Sequence, residues 1–129
     1  MQFRHSLLLP ALLLFAGCPG GIDTPEEAIH ESVSIMEDMA DVLEGVKDKK
    51  TAEAAKGKLQ SLKKRMDEVE KAMSGMKTPE EPDEATIKKL AEPMMKAQER
   101  LGKEMMRIAM NPELAQVLEG AMDGMPRGR

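Results

Sequence analysis

Apolar residues recur along most of the chain at the three- and four-residue spacing of an amphipathic helix. The clearest run has eight apolar positions separated alternately by three and four residues: Ala52, Ala55, Leu59, Leu62, Met66, Val69, Met73 and Met76. Such a heptad seam predicts one long helix that buries a single face. Three further segments show shorter versions of the same pattern, so the sequence predicts an all-α protein.

The segment before this seam predicts a helix from Pro25 to Val46. Thr24, Pro25 and Glu27 have the spacing of a capping box with proline at the first helical position. Gly45 and the polar residues 47–50 indicate the end of this helix. The connection to the seam is short, which predicts that the two helices form an antiparallel hairpin. The predicted helix carries two adjacent apolar rows, which are Ile29, Val33, Met36, Ala40 and Leu43, and Ile35, Met39, Val42 and Val46.

A third helix is predicted to begin near Asp83, because Pro82 disfavours helix in the residue before it. Pro93 lies inside this helix and predicts a kink or a break. Asn111 and Pro112 then predict a short fourth helix, folded back over the open end of the bundle. We therefore expect a hairpin plus a Pro-kinked third helix and a short fourth helix, in a three- to four-helix bundle over residues 24–124. The apolar positions are Ile87, Leu90, Met94, Ala97, Leu101, Met105 and Ile108 in the third helix, and Leu114, Val117, Leu118 and Ala121 in the fourth.

The beginning of the chain has the pattern of a secretory signal. A short basic stretch, residues 1–6, precedes an apolar run that starts at Leu7 and is interrupted only by Pro10. The run is about 11 residues long, whereas a membrane-spanning helix needs roughly 20. We therefore expect residues 1–17 to be a signal peptide, residues 18–23 a flexible tether and residues 125–129 a disordered tail.

The tripeptide Ala16-Gly17-Cys18 resembles the lipobox of bacterial lipoproteins, with Phe15 where leucine is usual. In that family the cysteine is thioether-linked to diacylglycerol and then N-acylated by a chain such as palmitate. The resemblance implies lipidation at Cys18, membrane lipid as a partner, and a place in the cell envelope facing the periplasm. Pro19 stands where aspartate retains enteric lipoproteins in the inner membrane, which favours the outer membrane. The alternative is an ordinary secreted protein with a free thiol.

The composition after the predicted signal removes several classes of function. Both phenylalanines, Phe3 and Phe15, lie in the signal, and tyrosine and tryptophan are absent. His30 is the only histidine in the mature chain, so the sequence lacks the residues for a histidine-activated nucleophile and for a zinc site. Nucleic-acid binding lacks aromatic stacking faces, and the net charge is −4. We expect no enzyme, no cofactor and no nucleic-acid partner.

Charge is distributed unevenly between the first two predicted helices. Residues 23–48 carry nine acidic groups and one lysine, Lys47, whereas residues 49–77 carry nine basic groups and four acidic ones. These opposite charges predict that the helices lie side by side. With its length and lipobox, this acidic-then-basic hairpin resembles the small, Met-rich helical lipoproteins of planctomycete-type bacteria, a resemblance that implies no activity.

Methionine is the one residue type in excess, with 13 in the chain. Met36 with Met39 and Met73 with Met76 have helical spacing, and thioethers are ligands that suit Cu(I). The competing interpretations are core filling by a flexible side chain and a Met-lined groove for a partner helix.

The hairpin also resembles periplasmic b-type cytochrome bundles, in which Met36 would take the place of one haem ligand. No histidine follows His30, so haem is not expected, and we expect His30 to be solvated or paired with a carboxylate.

These observations favour a non-enzymatic, lipid-anchored helical module of the envelope, an adaptor that binds a protein partner or itself through its helical faces. A periplasmic Cu(I)-binding protein that uses the Met pairs is the alternative. A small hydrolase built on His30 and a carboxylate is a third hypothesis.

Overall fold

The computed structural model describes residues 21–76 and 83–123, and these residues form four α-helices and no strand. The predicted all-α bundle is confirmed. Cys18, the predicted signal peptide and the predicted tail lie outside the described residues, and the predicted tether is described only from Gly21 onwards. The helices are α1 (Pro25–Glu44), α2 (Lys49–Gly75), α3 (Glu84–Ala109) and α4 (Pro112–Met122).

Each helix begins at a polar residue whose side chain accepts a hydrogen bond from the backbone N–H three residues later. Before α1, the predicted capping box forms between Thr24 and Glu27. The other three caps are Asp48, Asp83 and Asn111. These side chains satisfy N–H groups that have no partner inside the helix, so the local sequence determines where each helix starts.

Helix α1 ends two residues earlier than the sequence predicts. It stops at Glu44, and the N–H of Val46 donates to the carbonyl of Leu43 at 3.0 Å in a tighter turn. Val46 is nevertheless fully buried. The apolar row therefore continues into the connection, which explains why periodicity alone overestimated the helix.

Helix α3 runs through Pro93 without interruption, so of the two predicted alternatives, a kink or a break, the helix does not break there. Proline lacks the N–H that would donate to the carbonyl of Lys89. Both residues are exposed to solvent, where water can hydrate the free carbonyl. The residues that follow Pro93 pack against α1 and hold the helix together.

Helix α1 packs closely against both α2 and α3. Helix α4 packs mainly on α2 and less on α3, and no α-carbons of α2 and α3 come within 8 Å of each other in the described residues. The ammonium group of Lys63 donates to the carbonyl of Asp123, just past the end of α4. Helix α4 therefore packs along only the first part of α2, because the 11 residues of α4 span about 16 Å, whereas the 27 residues of α2 span about 40 Å.

The core contains no aromatic residue and no buried polar side chain among the residues described. Its largest fully buried members are aliphatic side chains and one methionine: Ile35, Met39, Leu43, Val46, Leu59, Leu101, Ile108 and Leu118. Alanines at the α1–α2 interface, including Ala52 and Ala55, are buried as well. Their small side chains allow the hairpin helices to approach closely, as the seam predicts.

The acidic side of α1 is shared between two arginines on different helices. Arg65 of α2 contacts Glu31 at 2.5 Å and Asp38 at 3.1 Å, which confirms the predicted pairing of α1 with α2. The hydrogen bond to Glu31 is the main cause of the raised pKa of the Arg65 guanidinium, and Asp38 adds to it. Asp41 and Glu44 instead contact Arg100 of α3, each at 2.5 Å. The charge pattern thus positions both neighbours of α1.

Candidate interaction surface

The four methionines predicted as metal ligands lie in two separate places. Met36 and Met39 are in the core of α1, 5% and 1% exposed. Met73 is 47% exposed near the end of α2, and Met76 is partly buried as the residue that caps this helix. Because the hairpin is antiparallel, the two pairs are separated by roughly 20 Å along the helix axis. The structure therefore places the two methionine pairs apart from each other.

His30 lies on the solvent side of α1 beside a carboxylate. Its Nε2 is 3.8 Å from an oxygen of Glu26, one helical turn earlier, and its side chain is 58% exposed. This placement confirms the predicted solvated, carboxylate-paired histidine. Within residues 21–76 and 83–123, no group of three or more His, Cys, Asp or Glu side chains could hold a metal ion.

The remaining methionines divide between core and surface. Met66, Met94, Met105 and Met122 are partly buried and pack against the core. Met95 and Met106 on α3 are 68% and 67% exposed, and Met110 at the end of α3 is 80% exposed. The methionine excess therefore fills the core, as one interpretation predicts, and also coats part of α3.

Ile87 contradicts its predicted place in the core, since it is 51% exposed. The residues of α3 that are buried, Leu90, Ala97, Leu101 and Ile108, form the row that faces the bundle. Ile87 is displaced from that row by about 60° around the helix. The apolar face of α3 is wider than the area that α1, the one helix packed along its length, can cover.

Six residues on this uncovered side of α3 define a surface that we call the exposed α3 stripe: Ile87, Ala91, Met95, Gln98, Gly102 and Met106. They follow one another at steps of four or three residues, which places them on one side of the helix. The stripe lies roughly 110° around the helix from the buried row. Five of its members are exposed, and Gly102 is partly buried.

Two arginines show which way the stripe points. Arg100 reaches Asp41 and Glu44, and Arg107 donates to the carbonyl of Leu43 at 2.7 Å. Both arginines lie on the side of α3 opposite the stripe and bend over onto the last turn of α1. The stripe therefore points away from the last turn of α1. Among the described residues α2 does not reach α3, and α4 contacts it only weakly, so these helices leave the stripe exposed.

Two adjacent methionine pairs in the sequence indicate this stripe, although the three- and four-residue periodicity does not reveal it. Met94-Met95 and Met105-Met106 are adjacent pairs 11 residues apart, which is about three helical turns. In each pair the first methionine packs against the core and the second is exposed. Two large apolar residues side by side at a three-turn interval predict an apolar face too wide for one partner helix.

A cleft of about 510 Å³ lies between the first half of α1 and the last half of α2. Its one cation among the described residues, Arg65, is already bound by Glu31 and Asp38. The cleft therefore presents carboxylates and apolar side chains without a free positive group. It is lined by Gly21, Ile22, Glu27, Glu31, Arg65, Glu68, Val69 and Ala72.

The chain matches no protein-family model, and neither the curated proteins nor the solved structures include a significant match. None of the four helices is long and apolar enough to cross a membrane, over the part of the chain that was described.

Proposed function

We propose that this protein is a non-enzymatic, lipid-anchored module of the cell envelope that binds a protein partner through the exposed α3 stripe. The stripe is the observation that supports this function. Single exposed apolar side chains are common on protein surfaces, but Ile87, Met95 and Met106 lie on one side of one helix. Aligned apolar residues with a polar border are typical of a surface for a partner helix.

The chemistry of the stripe suits binding rather than catalysis. Its apolar members are bordered on one side by exposed carboxylates and lysines of α3, which are Glu92, Lys96, Glu99 and Lys103. Methionine is flexible and unbranched, so Met95 and Met106 can adapt to the shape of a partner surface. The part of the chain that the structure describes offers one histidine, His30, at a distance from this surface on α1.

The anchor is proposed from the resemblance of residues 16–18 to a lipobox. A thioether-linked diacylglycerol with a further N-linked acyl chain supplies two or more hydrocarbon chains, enough for stable membrane attachment. The proposal predicts that the chain from cells carries lipid on Cys18 and partitions into a detergent phase. Mass spectrometry of the N-terminal peptide measures the modification, and Cys18→Ser is the matched control. An unmodified thiol on the wild-type protein would contradict the anchor.

The binding surface is tested in intact cells with a photo-crosslinking amino acid at Met95, and at Met73 as the control. Both methionines are exposed, but only Met95 belongs to the stripe. We expect a discrete crosslinked product from position 95 and much less from position 73. Equal labelling at both positions, or none at position 95, would refute a binding role for the stripe.

A further inference from the structure

We propose that the partner of the exposed α3 stripe is a second copy of this chain, packed antiparallel about a two-fold axis near Gln98. This inference rests on the proposed function, because it names the partner for the same surface. A two-fold interface must be self-complementary, so that residue i contacts residue j and residue j contacts residue i. The stripe and its borders meet this condition in both size and charge.

Large and small residues alternate in the order that an antiparallel pair needs. When two copies of α3 run in opposite directions about an axis near Gln98, residues whose numbers sum to about 197 lie opposite each other. Met95 then faces Gly102 of the second copy, and Met106 faces Ala91. Ile87 and Met110 lie at the same level at each end of the pair, but on opposite borders of the stripe. In the two central contacts a long thioether lies against a residue with little or no side chain, which allows close packing of the helices.

The glycine at the centre of this arrangement has no role in the packing of one copy. A Cβ atom added at Gly102 would meet no atom within 4 Å, so the surrounding bundle has room for a side chain. In the proposed dimer that space is filled by Met95 of the second copy.

The charged border of the stripe is complementary in the same register. In an antiparallel helix pair, residues on one border face the same border of the other helix. Glu92 and Lys103 lie on one border, and their numbers sum to 195, which places Glu92 near Lys103 of the second copy. Lys96 and Glu99 have the same sum. Within one copy Glu92 and Lys96 already form an ion pair at 2.7 Å, so their contacts with the second copy would extend this pair, whereas Glu99 and Lys103 form no ion pair among the described residues.

A parallel pair would lose both kinds of complementarity. It would place Met95, near the centre of the interface, at the same level as Met95 of the second copy, and two large side chains at one level force the helices apart. It would also turn the border of Glu92 and Lys103 toward the opposite border of the second copy, so Glu92 and Lys103 would no longer pair across the interface. The antiparallel arrangement is therefore the one that this sequence of residues fits.

Cysteine crosslinking in the full chain tests the arrangement directly. Cys18→Ser removes the native thiol, and Gln98→Cys then places one thiol next to the two-fold axis. We expect Gln98→Cys to form a disulfide-linked dimer under mild oxidation. Met110→Cys alone should not, because its two copies lie at opposite ends of the α3 pair. Mixing Met106→Cys chains with Ala91→Cys chains should give a crosslinked heterodimer. Efficient self-crosslinking of Met110→Cys, or none from Gln98→Cys, would overturn the antiparallel dimer.

Sedimentation of the same Cys18→Ser chain gives an independent measure. Met95→Glu should weaken the dimer by roughly 100-fold in Kd, because a carboxylate would be buried against Gly102 of the second copy. Met73→Glu is the matched control, with no expected change. Lys103→Glu should weaken association about two- to fivefold, and adding Glu92→Lys should restore it, since the pairing is reversed rather than removed.

The outcomes separate this inference from the proposed function. A chain that stays monomeric at high concentration, while photo-crosslinking at position 95 captures a different protein, overturns the dimer and retains the binding role of the stripe. A monomeric chain without any crosslink at position 95 refutes both. Dimerisation that is unaffected by Met95→Glu overturns the assignment of the interface to the stripe.

Discussion

Helices α1 and α3 pack against each other and carry comparable apolar faces, yet they differ in how much of that face is covered. Helix α1 packs closely against both α2 and α3, and seven of its residues are buried. Helix α3 is longer but has only four buried residues, because α1 is the only helix that packs against it closely. The comparison shows that the number of neighbours, and not the periodicity of a helix, decides which apolar residues become core.

The largest expected difference between the two helices is the effect of shortening a methionine. Met39→Ala in α1 should lower the free energy of unfolding by about 2–5 kcal/mol, since Met39 is 1% exposed and its removal leaves a cavity. Met95→Ala in α3 should change it by less than about 0.5 kcal/mol, because Met95 is 68% exposed. Urea unfolding of both variants, at a concentration where the chain is monomeric, measures the difference. Similar losses of unfolding free energy in Met39→Ala and Met95→Ala would mean that α3 is covered on both sides.

A smaller effect of opposite sign is expected where α3 contains its proline. Pro93→Ala should raise the free energy of unfolding by about 1–3 kcal/mol, because alanine restores the hydrogen bond to the carbonyl of Lys89 and is the better helix former. Helix α1 has no internal proline, so this change makes the two helices more alike. Thermal unfolding measures it, with the exposed Ala91→Gly as a control that should destabilise. A loss of stability in Pro93→Ala would show that the proline supports the packing of α3 on α1.

The smallest expected effect concerns pH at the start of α3. Hydrogen bonds from the side chain and backbone N–H of Thr86 lower the pKa of the Asp83 carboxyl below its ordinary value of 3.8. Since the folded pKa is depressed, the cap contributes its full stability above pH 3.8 and loses it as the pH falls through the folded pKa. Acid should therefore fray the first turn of α3, and Asp83→Asn should remove this dependence.

Backbone amide chemical shifts measure this titration. The Thr86 amide should shift as the pH falls below 3.8, while the Leu114 amide should not, because it donates to the neutral side chain of Asn111. Parallel shifts of both amides would indicate general unfolding instead of loss of one cap.

The elements of this fold could be predicted from local sequence. Thr24 with Glu27, and Asn111 with Pro112, determine helix starts through contacts within four residues, so their effect does not depend on the rest of the chain. The seam of α2 was confirmed over most of its length, where Ala52, Leu59 and Val69 are buried. Its last part was not, since Met73 is 47% exposed.

The coverage of each apolar face could not be predicted in the same way. Burial of Ile87 or Met73 depends on the length of α4 and on where it packs, and α4 is too short to reach either residue. The position of Arg100 likewise depends on which neighbour the acidic end of α1 meets. These are long-range properties, and a pattern within one helix does not contain them.

If Cys18 carries lipid, the contact made by Ile22 limits how the protein can sit on a membrane. Ile22 packs against the core and the N–H of Asp23 donates to Glu27 at 2.9 Å, so three residues separate Cys18 from Ile22, and the four Cα–Cα steps between them span at most about 14 Å. In an antiparallel pair of α3 helices, the tethers of the two copies start from opposite ends of the pair. With lipid on each Cys18, tethers of this length can both reach one bilayer only when the paired bundles lie flat along its surface.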